Sequence, residues 1–222
     1  MPEIETINKN YIIEEIIMKQ TLSQLHEAIV SADSHKVDEL MEQLNGDVDG
    51  RMLFDNCIEP SLNALCANIR LKKGAVPELL MGLTQVNRIA KIVDIQRGAG
   101  KRRKIIIGVV EGDIHDMGKN IIRDICKGYG HEVFDLGKDV SAESFAAVAL
   151  EQNADVACLS TMMSTTLKAV ENTVDRLKSA RPSIRILLGG AFMNTDLAGK
   201  LNAHGYAKDA SVIMSEIERV MQ

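Results

Sequence analysis

Apolar and polar positions along the chain follow two different periods. From residue 105 onward, short unbroken apolar runs recur at 105–110, 133–136, 156–160 and 184–188, with a weaker fifth near Tyr206 and Ala207. Their length and β-branched content are those of strands buried on both faces. Between and after them lie stretches with helical spacing, around 119–129, 141–152, 165–180, 195–203 and 211–221. Strands alternating with helices predict an α/β domain of flavodoxin-like (Rossmann-like) type. It is a doubly wound, parallel, five-stranded sheet with right-handed crossovers, whose switch point falls between the first and third strands.

The residues before it carry only the helical period. Ile12, Ile13, Ile16 and Ile17 open an amphipathic segment that Leu22, Leu25, Ile29 and Val30 continue. Ser34 reads as the N-cap of a helix bearing Val37, Leu40, Met41 and Leu44, which stops near Asn45 and Gly46. A third runs from Met52 to Ile69, with Pro60 kinking it or opening its second half. Pro77 fits the first position of a last helix carrying Leu79, Leu83, Val86, Ala90 and Val93. The chain thus divides into an all-α helical bundle over 1–97, a linker over 98–104 and the sheet domain over 105–222. Arg97, Gly98, Ala99 and Gly100 lead into four consecutive cations, Lys101, Arg102, Arg103 and Lys104. Such a run is a solvated linker or a docking contact for an acidic group.

Composition narrows the function classes. With 222 residues and 45% hydrophobic content the chain can build its cores, and a net charge of −5 argues against a general nucleic-acid binder. Aromatics make up 3% and tryptophan is absent, so base-stacking platforms are not expected. No apolar run approaches the roughly 18 residues of a membrane span, and the N-terminus lacks a leader pattern. A cytoplasmic protein with neither nucleic acid nor membrane as partner is expected. Cys57, Cys66, Cys126 and Cys158 show no C-x-x-C spacing and read as buried reduced thiols.

The candidate chemistry sits in Glu111-Gly112-Asp113-Ile114-His115-Asp116-Met117-Gly118, between the first strand and its helix. Open parallel sheets bind ligands just there. A histidine that ligates a metal through one nitrogen usually donates the other N–H to a carboxylate, and Asp-x-His supplies both groups from one loop. His115 is therefore a candidate metal ligand, with Asp113 holding its other ring nitrogen and Gly118 admitting a large ligand. From the loop alone, a solvated or helix-capping His115 is an equally good reading.

Two later stretches fall in register with this loop. After Gly118, the 41 residues 119–159 precede Ser160-Thr161-Met162, and the 26 residues 163–188 precede Gly189-Gly190. The three elements together resemble the signature of cobalamin-binding domains: D-x-H-x-x-G, about forty residues, S-x-L, about twenty-seven residues, G-G. With Lys119-Asn120 following Gly118, the loop resembles that of the corrinoid proteins of methyltransferase systems, similar also to the cobalamin-binding region of methionine synthase. Met162 stands where the family has leucine, and Met117 where it more often has isoleucine or leucine; both are apolar swaps of the kind cores tolerate.

The resemblance implies cobalamin as cofactor, with His115 ligating cobalt, Asp113 accepting from its ring N–H and Ser160 extending the relay. The cofactor-binding set then comprises Gly112, Asp113, His115, Asp116, Met117, Gly118, Ser160 and Met162. Gly189 and Gly190 leave room beside the nucleotide tail, and Phe192 packs on the lower base. Thr165 and Thr166 hydrogen-bond the tail or cap a helix. The bundle resembles the family's cap over the upper corrin face, whose last helix follows glycine and Phe-Leu-Pro-Glu. Here Gly74-Ala75-Val76-Pro77-Glu78 lacks the phenylalanine, leaving Leu71 or Met81 as cover.

The implied function is that of a methyl carrier in one-carbon metabolism. It takes a methyl group on Co(I) from a substrate:corrinoid methyltransferase and passes methyl-Co(III) to a second methyltransferase, with tetrahydrofolate or a thiol cofactor as acceptor. A reductive activating protein is the third expected partner. The chain is too short to hold a substrate-binding TIM barrel as well, so it reads as a shuttle rather than a complete enzyme. Three alternatives are a cobalamin-binding subunit of an adenosylcobalamin-dependent mutase, a cobalamin-dependent light sensor, and a flavodoxin-like interaction domain without cofactor.

Overall fold

The helical period of the N-terminal stretch is satisfied wherever a computed structural model describes it, the described residues being 2–44, 48–71, 75–92 and 101–222. Two compact units are present, Met1–Gly100 and Lys101–Gln222. The expected helix stop at Asn45 and Gly46, and Gly74, Val93, Arg97, Gly98, Ala99 and Gly100, lie outside the described residues, as do the side chains of Ile12 and Ile13.

The first unit contains α1 (Pro2–Val30), α2 (Ser34–Leu44), α3 (Gly50–Leu53), α4 (Glu59–Leu71) and α5 (Val76–Ile92). Leu22, Leu25 and Ile29 of α1 are fully buried, as are Val37 of α2 and Leu83, Val86 and Ile89 of α5. The cap of α2 is Asp33 rather than Ser34: Asp33 Oδ1 accepts the Lys36 N–H at 3.0 Å. Ser34 Oγ instead accepts from Gln85 Nε2 of α5 at 2.8 Å. Pro60 opens the second half of its segment, as the second residue of α4. The turn before it, Phe54–Ile58, widens to π-helical hydrogen bonding, and α4 starts just ahead of the proline. A π turn there relieves the clash of the ring with the preceding carbonyls. Pro77 is the second residue of α5, still within the first turn, where its missing N–H removes no bond. Glu78 Oε2 reaches back to the Ala75 N–H at 3.1 Å and closes that end.

The second unit is a five-stranded sheet in the order β2-β1-β3-β4-β5. Its strands are β1 (Lys104–Val110), β2 (Glu132–Val140), β3 (Val156–Ser160), β4 (Arg185–Gly189) and β5 (Gly205–Ala207). All four pairings are parallel. The intervening helices are α6 (Met117–Gly128), α7 (Ala142–Glu151), α8 (Leu167–Ala180), α9 (Thr195–Lys200) and α10 (Ile213–Met221). Ile106 and Val110 of β1, Ala157 and Leu159 of β3 and Ile186 and Leu188 of β4 share one core with Phe145 of α7, Val170, Val174 and Leu177 of α8 and Ala198 of α9. Gly108 is part of this packing, since a Cβ there would stand 2.7 Å from the Phe145 ring.

The second strand runs four residues beyond the expected 133–136. Its pairing with β1 slips twice, from Ile107↔Asp135 to Gly108↔Gly137 and from there to Val110↔Val140. Each slip inserts a residue, the signature of a β-bulge, and Gly137 and Asp139 take positive φ of 86° and 56° at these places. The strand order makes β1 and β3 neighbours across the switch point, so the loops after them meet at one end of the sheet. Among the described residues no helix is long and apolar enough to cross a membrane. All four cysteines are buried and none is in a disulfide, and burial pushes the Cys57 and Cys158 thiols up to about 12.

Candidate functional site

Beyond Val110 the chain makes a tight turn, closed by the Asp113 N–H donating to the Val110 carbonyl at 3.2 Å. Gly112, at φ +83°, takes the third position of this turn, a left-handed conformation that suits glycine. The turn delivers the Asp113 carboxylate into the protein, where it is fully buried. Oδ1 accepts the His115 backbone N–H at 3.0 Å and lies 2.7 Å from His115 Nδ1. Oδ2 accepts from Thr161 Oγ1 at 3.0 Å and from the Met162 N–H at 2.6 Å. Burial pushes this carboxyl up, but the four hydrogen bonds more than offset it and hold it down to about 2.

An ionised carboxylate accepts only, so the hydrogen between the two side chains sits on Nδ1. The Nε2 lone pair is then the free donor atom of a ring whose side chain is 51% exposed. Large apolar side chains surround this position along the chain. Ile114 (63% exposed) and Met117 (60%) share its loop, Met162 (48%) belongs to the loop that holds Asp113, and Phe192 (36%) follows β4. Exposed apolar side chains thus follow three strands that end at the same edge of the sheet, which suits a large, partly apolar ligand. Among the described residues no group of three or more His, Cys, Asp or Glu could hold a metal ion.

The glycines separate into two kinds. A Cβ at Gly190 would overlap the Thr161 carbonyl, and φ is +105°, so the protein's own backbone requires this glycine. Gly118 has nothing within 4 Å of a Cβ, and at Gly189 the nearest atom is the Ala207 carbonyl at an ordinary 3.6 Å. Neither has an internal reason to lack a side chain, which fits a cradle that a Cβ would fill. Asp116 occupies the N-cap position of α6 without a capping bond from its side chain.

The hydroxyl on Asp113 belongs to Thr161, where the expected relay assigned it to Ser160. Ser160 is the last residue of β3, in register with Val109 and with Gly189. Side chains alternate along a strand, so Ser160 lies on the sheet face opposite Leu159, beside Gly189. The next residue, already off the strand, reaches the carboxylate instead. Thr161 Oγ1 is also 2.5 Å from Thr166 Oγ1, and Thr166 Oγ1 donates to the Met163 carbonyl at 2.9 Å. Both threonines are buried, so Thr166 spends its hydroxyl inside the protein while Thr165 stays exposed. Thr161 follows the signature serine directly, but only the end of β3 shows that it takes over the contact. Asp139 was a second omission: its Oδ1 accepts the Gly112 N–H at 2.7 Å. Lys119, buried in the first turn of α6, donates to Asp135 Oδ1 at 2.5 Å and anchors that helix to β2.

Comparison with known proteins agrees with this geometry. Residues 83–215 match the B12 binding domain family. Dimethylamine corrinoid protein 3 of Methanosarcina acetivorans is 28% identical over 205 residues, covering 90% of this chain and 96% of the relative. Dimethylamine corrinoid protein 3 of Methanosarcina mazei is 31% identical over 161 residues, covering 69% of this chain and 96% of the relative. Among solved structures, a cobalamin-binding protein from Desulfitobacterium hafniense superposes with a TM-score of 0.73 at 24% identity, covering 90% of this chain and 98% of that one. The methanol:cobalamin methyltransferase complex of Methanosarcina barkeri gives a TM-score of 0.75 at 22% identity, covering 91% and 80%. These two likenesses bear out the fold, a helical region followed by a flavodoxin-like sheet. The Asp-x-His loop, the two further signature elements and the family match converge, and the chain belongs to the B12-binding family, as a corrinoid protein with cobalamin as its cofactor.

Proposed function

We propose that this chain is the methyl carrier of a corrinoid-dependent methyltransferase system and that His115 Nε2 is the protein's ligand to cobalt. The observation that carries the reading is the 2.7 Å pairing of His115 Nδ1 with the buried, ionised Asp113, which leaves Nε2 of a half-exposed ring as the donor. The relatives named dimethylamine corrinoid proteins support a carrier over a mutase subunit, and the family match argues against a cofactor-free interaction domain.

When bound, the corrinoid supplies a cobalt centre able to accept and give up a methyl group. The chain's own residues do the rest. Asp113 keeps the proton on Nδ1, so that Nε2 is the atom that would ligate cobalt. Thr161 and Thr166 close the buried side of Asp113. Gly118 and Gly189 leave room for the cofactor, and Ile114, Met117, Met162 and Phe192 line it, with Ser160 and Thr165 toward the tail.

The partners are a substrate:corrinoid methyltransferase, a second methyltransferase delivering to tetrahydrofolate or a thiol cofactor, and a reductive activating protein, all in the cytoplasm. The methyl donor is set by the first of these.

The test is retention of hydroxocobalamin by the purified protein through gel filtration, followed by visible spectra of the wild type and His115→Ala. The wild type should keep the cofactor with a histidine-ligated spectrum, and the variant should show the spectrum without a protein nitrogen ligand. Identical spectra would remove His115 from the cobalt.

A further inference from the structure

The loop that carries Asp113 and His115 is gripped from a second side, by the bulged end of β2. Asp139 Oδ1 accepts the Gly112 N–H at 2.7 Å, and the Asp139 N–H donates to the Asp113 carbonyl at 3.1 Å. Together these form a two-point clamp on consecutive residues of the loop. Asp139 pays for this position with a φ of +56°, a left-handed conformation in which Asp and Asn are the most tolerated non-glycine residues. The slip in pairing from Gly108↔Gly137 to Val110↔Val140 supplies the extra residue that turns Asp139 toward the loop. Nothing else in the fold asks for an aspartate there: Asp139 is exposed and lies on the edge strand of the sheet.

We propose that Asp139 is a positioning residue for the corrinoid ligand, fixing the Gly112–Asp113 backbone so that the Asp113 carboxylate meets His115 Nδ1 in register. The idea rests on His115 being the cobalt ligand. Asp113 is thereby held by its own N–H, by its carbonyl and by both carboxylate oxygens. Loss of the Asp139 carboxylate releases the Gly112 half of the clamp, leaving the Asp139 N–H on the Asp113 carbonyl and the Thr161 and Met162 end in place, and so loosens the backbone end of this assembly. The nucleotide slot beside Gly189 is unaffected, so the protein keeps its cofactor while the His115 ligand loosens.

Two Asp139 variants, set beside wild type and His115→Ala, separate the contributions. Asp139→Asn keeps an acceptor oxygen and tolerates the left-handed backbone, whereas Asp139→Gly removes the acceptor and relaxes the backbone, so folding is preserved in both. Each is loaded with hydroxocobalamin and compared with wild type and His115→Ala by visible spectrum. Hydrogen exchange at the Gly112 amide is measured in the cofactor-free proteins.

Asp139→Gly should retain cobalamin, lower the equilibrium constant for histidine ligation by about tenfold, as loss of an outer partner of a metal ligand does, and lose protection at Gly112. Asp139→Asn should stay within about threefold of wild type in both readouts, a rescue that a general loss of stability would not give. If Asp139→Gly matches wild type in spectrum while His115→Ala differs, the clamp idea is overturned and the ligand assignment stands. If wild type and His115→Ala are alike, both fall. An unprotected Gly112 amide in the wild type would also overturn the clamp.

Discussion

Asp113 is the residue on which the site turns, and its chemistry makes a prediction about acid stability. Its carboxyl lies well below the ordinary value of 3.8, near 2, because hydrogen bonds from His115, Met162 and Thr161 outweigh its burial. A group with a depressed native pKa stabilises the fold fully above its unfolded value and loses that stabilisation as pH falls through the native one. Urea unfolding of the cofactor-free protein should therefore weaken as pH drops from 3.8 toward about 2. In Asp113→Asn that part of the slope should be absent, and a wild-type curve that is flat over this interval would contradict the hydrogen-bond count. Asp113 and His115 are legible as a pair in the sequence because they are two residues apart. Thr161 is not, because it is 48 residues away and its role depends on where β3 ends.

At the level of elements, strand ends and helix starts shape the site, and the glycines there report which surfaces belong to the protein and which to the ligand. Gly190→Ala should cost at least about 2 kcal/mol in urea unfolding, since it adds both a backbone overlap and a disfavoured φ. Gly118→Ala and Gly189→Ala should leave stability unchanged or raise it, the former by up to about 1 kcal/mol for a helical position. Both should nevertheless weaken cobalamin retention; full retention in the pair would show that the open space beside them is not used. The strand and helix order follows from apolar runs and helical spacing, and the last short strand, Gly205–Ala207, falls where Tyr206 and Ala207 marked it. The extension of β2 through Gly137 and Asp139 was not legible, because Leu136-Gly137-Lys138-Asp139 has the polar, glycine-containing look of a turn. Bulges are fixed by pairing with a neighbour, which local pattern does not contain.

For the whole molecule, two compact units follow the two periods of the sequence, a helical unit and a doubly wound sheet. The sheet unit carries the proposed site on three loops spread over some eighty residues, after β1, β3 and β4, with β2 gripping the first of them. That spread explains why the three-part register was more informative than any one motif: each loop sits at the same end of a parallel sheet, so the spacing between motifs counts one crossover or two. The central claim is the bond between His115 and cobalt. Electron paramagnetic resonance of the cob(II)alamin-loaded protein tests it most directly, comparing natural-abundance protein with protein carrying 15N-histidine. Ligation by His115 predicts superhyperfine triplets that become doublets on labelling in the wild type, whereas the signal of His115→Ala is indifferent to the label; wild-type triplets indifferent to the label, or label-dependent doublets surviving in the variant, would contradict it.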